Sequence, residues 1–243
     1  MAERYYFDDG TSRKHWSLQQ RGRKVTTVSG RTGTNGREVV REFDTPKAAR
    51  EDAAKRIAIK ERAGYVRVDP ALCTLKRPAG VRKATESQVA KFERDIGTDL
   101  PAEYRTFLLE QNGGRLPESH VNRYMCVDMR CVAGFDNVGV GNLLSLSAKA
   151  PHWGSLRTVA ETNMPLLPEG HLPVSLDSDL FTVSLKGKRG RVFWWNHDHP
   201  DMSWEDEDDQ GRVHYRPEWG VLYAQDFDEF LTRIAVFDGS ADG

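Results

Sequence analysis

Three short stretches of this sequence carry residue types that could do chemistry. The first is Ser29-Gly30-Arg31-Thr32-Gly33-Thr34-Asn35-Gly36, followed at once by Arg37. Glycine at every third position permits positive φ at several points, and such a loop offers backbone N–H groups outward. Arg31 and Arg37 add guanidinium groups, so phosphate is the chemistry this stretch suits. Gly30, Arg31, Gly33, Gly36 and Arg37 are the candidate nucleic-acid-binding set, with Arg21, Arg23, Lys24 and Arg41 nearby. The competing reading is that the glycines only shape a tight hairpin and the charges are solvated. The stretch lacks the closing Gly-Lys-Ser/Thr of a nucleotide-binding P-loop.

The second stretch is Trp204-Glu205-Asp206-Glu207-Asp208-Asp209. An acidic loop beside an aromatic anchor can dock a basic protein surface, because complementary charge speeds encounter and Trp is a frequent energetic centre of interfaces. Its bland alternative is a solvated loop with Trp204 folded back on the body. The third stretch is His197-Asp198-His199-Pro200-Asp201. On a strand, His197 and His199 point to one face, as metal ligands must. No third His or Cys stands at a family spacing, and Cys126-x4-Cys131 is not a zinc knuckle. A polar strand end running into a turn is the preferred reading, and no metal is assigned. No Ser or Cys nucleophile has an identifiable base, so no catalytic residue and no cofactor is expected, and the protein reads as non-enzymatic.

The charge distribution separates the first two stretches. The 243 residues carry a formal net charge of −1, but residues 1–80 hold 18 Lys+Arg against 10 Asp+Glu, a net of +8. The remaining 17 and 26 give residues 81–243 a net of −9. A basic front on an acidic back points to two units with different partners. No apolar run approaches the roughly 20 residues that span a bilayer, so no membrane partner is expected. The start lacks the basic-then-apolar layout of a signal peptide, and three cysteines without a CxxC exclude a disulfide framework. A reducing cytoplasm is the expected compartment.

The elements that must position these residues are legible in part. Residues 16–20, 25–28 and 38–43 read as strands, with the glycine stretch as a loop between the last two. Thr45-Pro46 starts a helix, Ala49, Ala53 and Ile57 line one face, Gly64 ends it, and residues 65–68 return as a strand. Residues 69–84 read as a linker punctuated by Pro70 and Pro78. Thr85 with Gln88 makes a capping box before the stripe Val89, Phe92, Ile96. Leu100-Pro101 opens a further helix with Tyr104, Phe107 and Leu108 inward, and residues 156–161 suggest a short one. Residues 180–185 and 191–195 form a hairpin across Lys186 to Gly190. Asp226 precedes an amphipathic helix built on Phe227, Phe230, Leu231 and Ile234. The expected organisation is a first domain at 1–68, the linker at 69–84, a second domain at 85–238 and a tail at 239–243. Trp194, Trp195 and Trp219 are expected to pack rather than bind.

Two family resemblances ride on these residues. The glycine stretch, Arg41-Glu42-Phe43-Asp44-Thr45, the Ala-rich helix and Gly64-Tyr65 together resemble the WGR domain, with Ser29 in place of the signature Trp. That resemblance implies a small antiparallel sheet with one helix, and nucleic-acid contact through Gly30 and Arg31. Loss of the ring removes roughly 1–3 kcal/mol of stacking. The ordered set Phe92-Glu93, Ile96-Gly97, Leu100-Pro101, Tyr104, Phe107-Leu108, Asn112-Gly113-Gly114, Leu172-Pro173-Val174, Val192-Phe193, Trp195, His197 and Phe227-Phe230-Leu231 is similar to the SUKH superfamily. It implies an α+β fold with helices on a mostly antiparallel, curved sheet. It also implies a bacterial immunity protein whose partner is a cognate toxin, often a nuclease. The alternative is a nucleic-acid-associated scaffold in which the basic unit binds DNA and the acidic unit recruits a protein.

Overall fold

In the computed structural model, which describes residues 2–69, 75–77, 80–115, 123–128, 137–151, 154–176, 180–196, 199 and 201–238, the first strands are set by alternation. β1 (Glu3–Asp8), β2 (Arg13–Arg21), β3 (Lys24–Arg31) and β4 (Arg37–Glu42) precede α1 (Pro46–Arg62), and β5 (Val66–Arg67) closes the unit. The sheet is antiparallel, in the order β4-β3-β2-β1-β5. Tyr5, Trp16, Leu18 and Val25 are buried against Ala49 and Ala53, whose small side chains let α1 lie close to the sheet. Thr45 caps α1, its Oγ1 accepting from Ala48 N at 3.1 Å. β4 is exposed along its whole length. Its pairing with β3 sets Arg37, Val39 and Arg41 on one face and Glu38, Val40 and Glu42 on the other.

The glycine stretch is not wholly a loop. β3 continues through Ser29, Gly30 and Arg31, and only residues 32–36 form the connection to β4. β1 was not read from the sequence. Its Tyr5-Tyr6-Phe7 run hides the alternation that would mark it.

The chain divides into two compact units, Met1–Pro70 and Ala71–Asp128 with Asn137–Gly243. In the second, α2 (Glu86–Ile96) and α3 (Ala102–Glu110) are followed by β6 (Arg123–Asp128), β7 (Asn137–Gly139), β8 (Asn142–Leu143) and α4 (Leu156–Asn163). Then come β9 (His171–Leu176), β10 (Leu180–Ser184), β11 (Val192–Trp195), β12 (Gly220–Ala224), α5 (Phe227–Arg233) and β13 (Ala235–Asp238). Two antiparallel sheets result, in the orders β12-β11-β10-β9-β8 and β13-β6-β7. The capping box of α2 is present in both directions, with Thr85 N donating to Gln88 Oε1 and Gln88 N to Thr85 Oγ1. Residues 75–77 and 80–84, read as linker, are tied to this unit. Arg77 donates to the Gln111 carbonyl at 2.6 Å, and Val81 and Ala84 are buried.

β10 is buried at every residue, the polar Thr182 and Ser184 included, so neither face of it meets water. On one side Phe181 meets Phe230 of α5 at 5.1 Å, and Phe227 meets Tyr104 and Phe107 of α3. On the other, Leu180 and Trp195 pack with Leu167 and Trp219. Trp195 Nε1 donates to Thr182 Oγ1 at 2.8 Å, which also lies 3.0 Å from His171 Nδ1. Burial pushes His171 down to about 4, so its ring is neutral at pH 7. Trp194 and Trp219 are buried too.

One ion pair is enclosed by this core. On α5, Arg233 meets Glu229 at 2.6 Å with both side chains almost fully buried, and the guanidinium lies over the Tyr223 ring. Burial pushes the Glu229 carboxyl up to about 6, against the pull of Arg233. The folded chain therefore holds this proton more tightly than the unfolded chain, whose glutamates titrate near roughly 4.3. Glu229 contributes most to stability below that value, and the contribution is lost as pH rises through about 6. Glu229→Ala removes the carboxylate from a buried arginine and is expected to cost about 3–5 kcal/mol in urea unfolding. Glu229→Gln is expected to flatten the pH dependence of stability over that window.

Candidate nucleic-acid and partner interfaces

The two-residue turn between Arg21 and Lys24 fixes the register of β2 on β3, and with it the neighbours of the glycine motif. Lys14 lies opposite Arg31, Gly30 opposite His15, and Ser29 opposite both Trp16 on β2 and Arg37 on β4. Directly opposite residues share a sheet face, so Lys14, Arg31 and Arg37 form one exposed basic array across three strands. Among the described residues no carboxylate pairs with Arg31 or Arg37, whereas Arg23 pairs with Glu42 at 3.2 Å. Like charges set opposite one another repel, an arrangement that a phosphate backbone relieves.

The glycines act sterically. A Cβ on Gly30 would stand 2.6 Å from Thr34 Oγ1, 2.7 Å from Gly36 Cα and 2.9 Å from His15 Nε2. Gly36 itself sits at φ +72°. The connection spends amides internally, with Thr32 N donating to Arg13 O and Thr34 N to Arg31 O, both at 3.0 Å. Gly30, Gly33 and Gly36 therefore shape the turn, and the groups able to meet phosphate are side chains. Ser29 stands exposed where the WGR motif has its ring, and Trp16 across from it is buried in the core. Lys14 was missed in the sequence reading. Counting back from the turn at Gly22 would have found it. Arg21, Arg23 and Lys24 lie at the opposite end of the β2–β3 hairpin.

The acidic stretch divides into two kinds of carboxylate. A helical turn at Trp204–Asp206 leads into a hairpin closed by the bridge between Glu207 and Val213. Asp206 is buried, accepting from Ser203 N at 3.0 Å and from Arg216 Nε at 2.7 Å. Burial works against its ionisation, but Arg216 and Ser203 outweigh it and hold the carboxyl below its usual range. Asp208 accepts from the N–H groups of Gln210 and Arg212 and from Arg212 Nε at 2.8 Å. The Arg212 side chain, then its amide, hold Asp208 at about 2. Glu205, Glu207 and Asp209 are exposed. The stretch is thus neither a free acidic loop nor five equivalent charges. It is a pinned hairpin presenting three, packed on the core through Met202, Val213 and Tyr215. The Trp204 side chain lies outside what the structure describes.

The SMI1/KNR4 family model (SUKH-1) matches residues 83–233. The chain belongs to this family. The SUKH-1 match takes in α2 to α5 and the acidic hairpin, while the WGR-domain model matches residues 4–71 and takes in the basic array. No curated protein matches the chain. Among solved structures, a crystal structure of a Bacteroides fragilis protein is 29% identical over 38% of this chain and 26% of that one, with a TM-score of 0.28. That likeness carries no argument about the SUKH-1 unit.

Of the histidine stretch, His197 and Asp198 lie outside the described residues. His199 stacks on Trp219 at 5.1 Å, and its Nδ1 accepts from Asp201 N. Among the described residues no group of three or more His, Cys, Asp or Glu could hold a metal, and no helix is long and apolar enough to cross a membrane.

The depressed Asp208 carboxyl makes the hairpin acid-sensitive in a defined window. Its stabilisation is complete above roughly 3.9, the unfolded value, and is lost as pH falls through about 2. A carboxyl NMR titration is expected to give the low midpoint in the unaltered chain. Arg212→Ala is expected to return it toward the unfolded value.

Proposed function

We propose that this protein is a non-enzymatic immunity protein. Its SUKH-1 unit binds and neutralises a cognate effector toxin of the nuclease type, and the WGR unit is an accessory module. The observation that carries the reading is the pinned hairpin. Asp206–Arg216 and Asp208–Arg212 fix the backbone, so Glu205, Glu207 and Asp209 are presented without the entropy cost of ordering a loop. A nuclease must carry a basic surface to hold phosphate, and a preordered acidic edge complements it, raising the association rate and fixing orientation. Family membership supports a protein partner. Co-expression with the toxin encoded by the neighbouring gene is expected to restore growth and yield a stoichiometric complex. The triple change Glu205→Lys, Glu207→Lys and Asp209→Lys is expected to slow association at least roughly tenfold and steepen toxicity, with the melting temperature unaltered. Persistent toxicity without a complex would overturn the immunity reading.

A second reading is favoured by the array of Lys14, Arg31 and Arg37, together with the WGR match. Here the basic unit binds DNA near a strand end and the acidic unit recruits a protein. Binding of the full chain to short duplexes is expected to weaken with salt. Arg31→Ala or Lys14→Gln should each lower the salt slope by about one. No binding at low salt excludes it.

A further inference from the structure

The acidic second unit carries, open to solvent at its surface, a cavity of the opposite character, with Arg82, Lys83 and Lys149 exposed at its rim. It measures about 370 Å3 and is lined by Arg82, Lys83 and Lys149, with Thr85, Gln88 and Ser147 between them and no carboxylate in its wall. In a stretch of net charge −9, three cations gathered around one space stand out as a local reversal.

The walls are built rather than incidental. Asn112 is buried at 1% exposure and adopts a left-handed φ of 56°. Its Nδ2 donates to Arg82 O at 2.7 Å, and its Oδ1 accepts from Leu146 N at 2.8 Å. One buried amide thus locks the Arg82–Lys83 wall to the wall that carries Ser147 and Lys149. Buried Val81 and Ala84 anchor the first wall from below. On the second, Lys149 N donates to Ser147 Oγ and Ala150 N to Ser147 O, a tight turn. The Lys149 stem reaches across to Gly80, its Cδ lying 4.0 Å from where a Gly80 Cβ would be. Among the described residues Arg82, Lys83 and Lys149 take part in no ion pair.

The start of α2 is not what would bind here. Its capping box already spends Thr85 N and Gln88 N on side chains. What remains are the three cations, the Gln88 Nε2 hydrogens and the Thr85 and Ser147 hydroxyls. Every one of these can donate. Three positive charges with neutral donors between them match a tetrahedral dianion with several acceptor oxygens better than a singly charged carboxylate. A concave space of this size suits a small molecule, whereas a nucleic-acid backbone follows an extended basic stripe.

We propose that this cavity binds a phosphate-bearing small molecule, with the phosphate group held among Arg82, Lys83 and Lys149. The site shares no residue with the acidic hairpin or with the basic array on the first unit.

Calorimetry of the full chain in phosphate-free buffer at low salt provides the test, with inorganic phosphate and a nucleoside 5′-monophosphate as probes. Saturable binding of phosphate is expected. Arg82→Gln and Lys149→Gln should each weaken it about tenfold, the loss of one charge-assisted contact, while Arg31→Ala leaves it intact. A tighter nucleotide assigns an organic phosphate, and equal affinity assigns the bare phosphate group; both outcomes uphold the site. In the unaltered chain, phosphate should also slow amine-reactive labelling of Lys83 and Lys149 relative to Lys186, which pairs with Glu169. Absence of saturable binding, undiminished binding in both variants, or labelling that phosphate leaves unchanged overturns the proposal.

Discussion

β10 has no face to give to water, and the second unit is organised around that constraint. A strand buried on both sides must be covered twice. One cover is aromatic and helical, with Phe227 and Phe230 of α5 against Phe181 and α3. The other is the segment from Met202 to Trp219, folded onto Leu180 and Trp195. The acidic hairpin belongs to this second cover. Its outward carboxylates are therefore fixed by the same packing that completes the core, and the polar trio of Trp195, Thr182 and His171 satisfies the groups the packing encloses.

The two units handle charge in opposite ways. In the basic unit, Lys14, Arg31 and Arg37 stand on one face; Asp9 and the Phe7 ring attend Lys14, while among the described residues no carboxylate pairs with Arg31 or Arg37. In the acidic unit, the two least exposed carboxylates of the run are bound by Arg216 and Arg212, and only the rest remain available. A count of charges along the chain is a poor guide to what each surface presents. The near-zero total resolves into an exposed basic array, a half-neutralised hairpin and a cationic cavity inside acidic surroundings.

What was legible in the sequence depended on how local the cause is. Caps and stripes act within one or two turns. Thr45-Pro46, Thr85 with Gln88, and Asp226 therefore marked helix starts that the structure bears out. The hairpin of β10 and β11 was legible because its turn and both strands are contiguous. β12 and β13 were not. β12 opens on a glycine and returns to β11 after a long excursion, and β13 pairs with β6 from the far end of the unit. The Asn112 lock depends on the same kind of distant return, its partners lying 30 and 34 residues away. β3 extends past Val28 because Gly30, which reads as a loop residue, is needed inside the strand, where it lies close against Gly36 of the connection.

The bare edge at β4 carries a further consequence. A second copy of the chain pairing there antiparallel about a two-fold axis would keep like faces together, since the axis runs normal to the sheet. Arginines at 37 and 41 occupy one face and glutamates at 38 and 42 the other. Every symmetric register overlapping the middle of the strand then sets an arginine against an arginine or a glutamate against a glutamate. Each such pair is unfavourable by a few tenths of a kcal/mol or more. With Val39 and Val40 exposed between them, this strand would otherwise template its own copy. The charge parity of four residues makes the edge self-avoiding while leaving it open to a strand of another sequence.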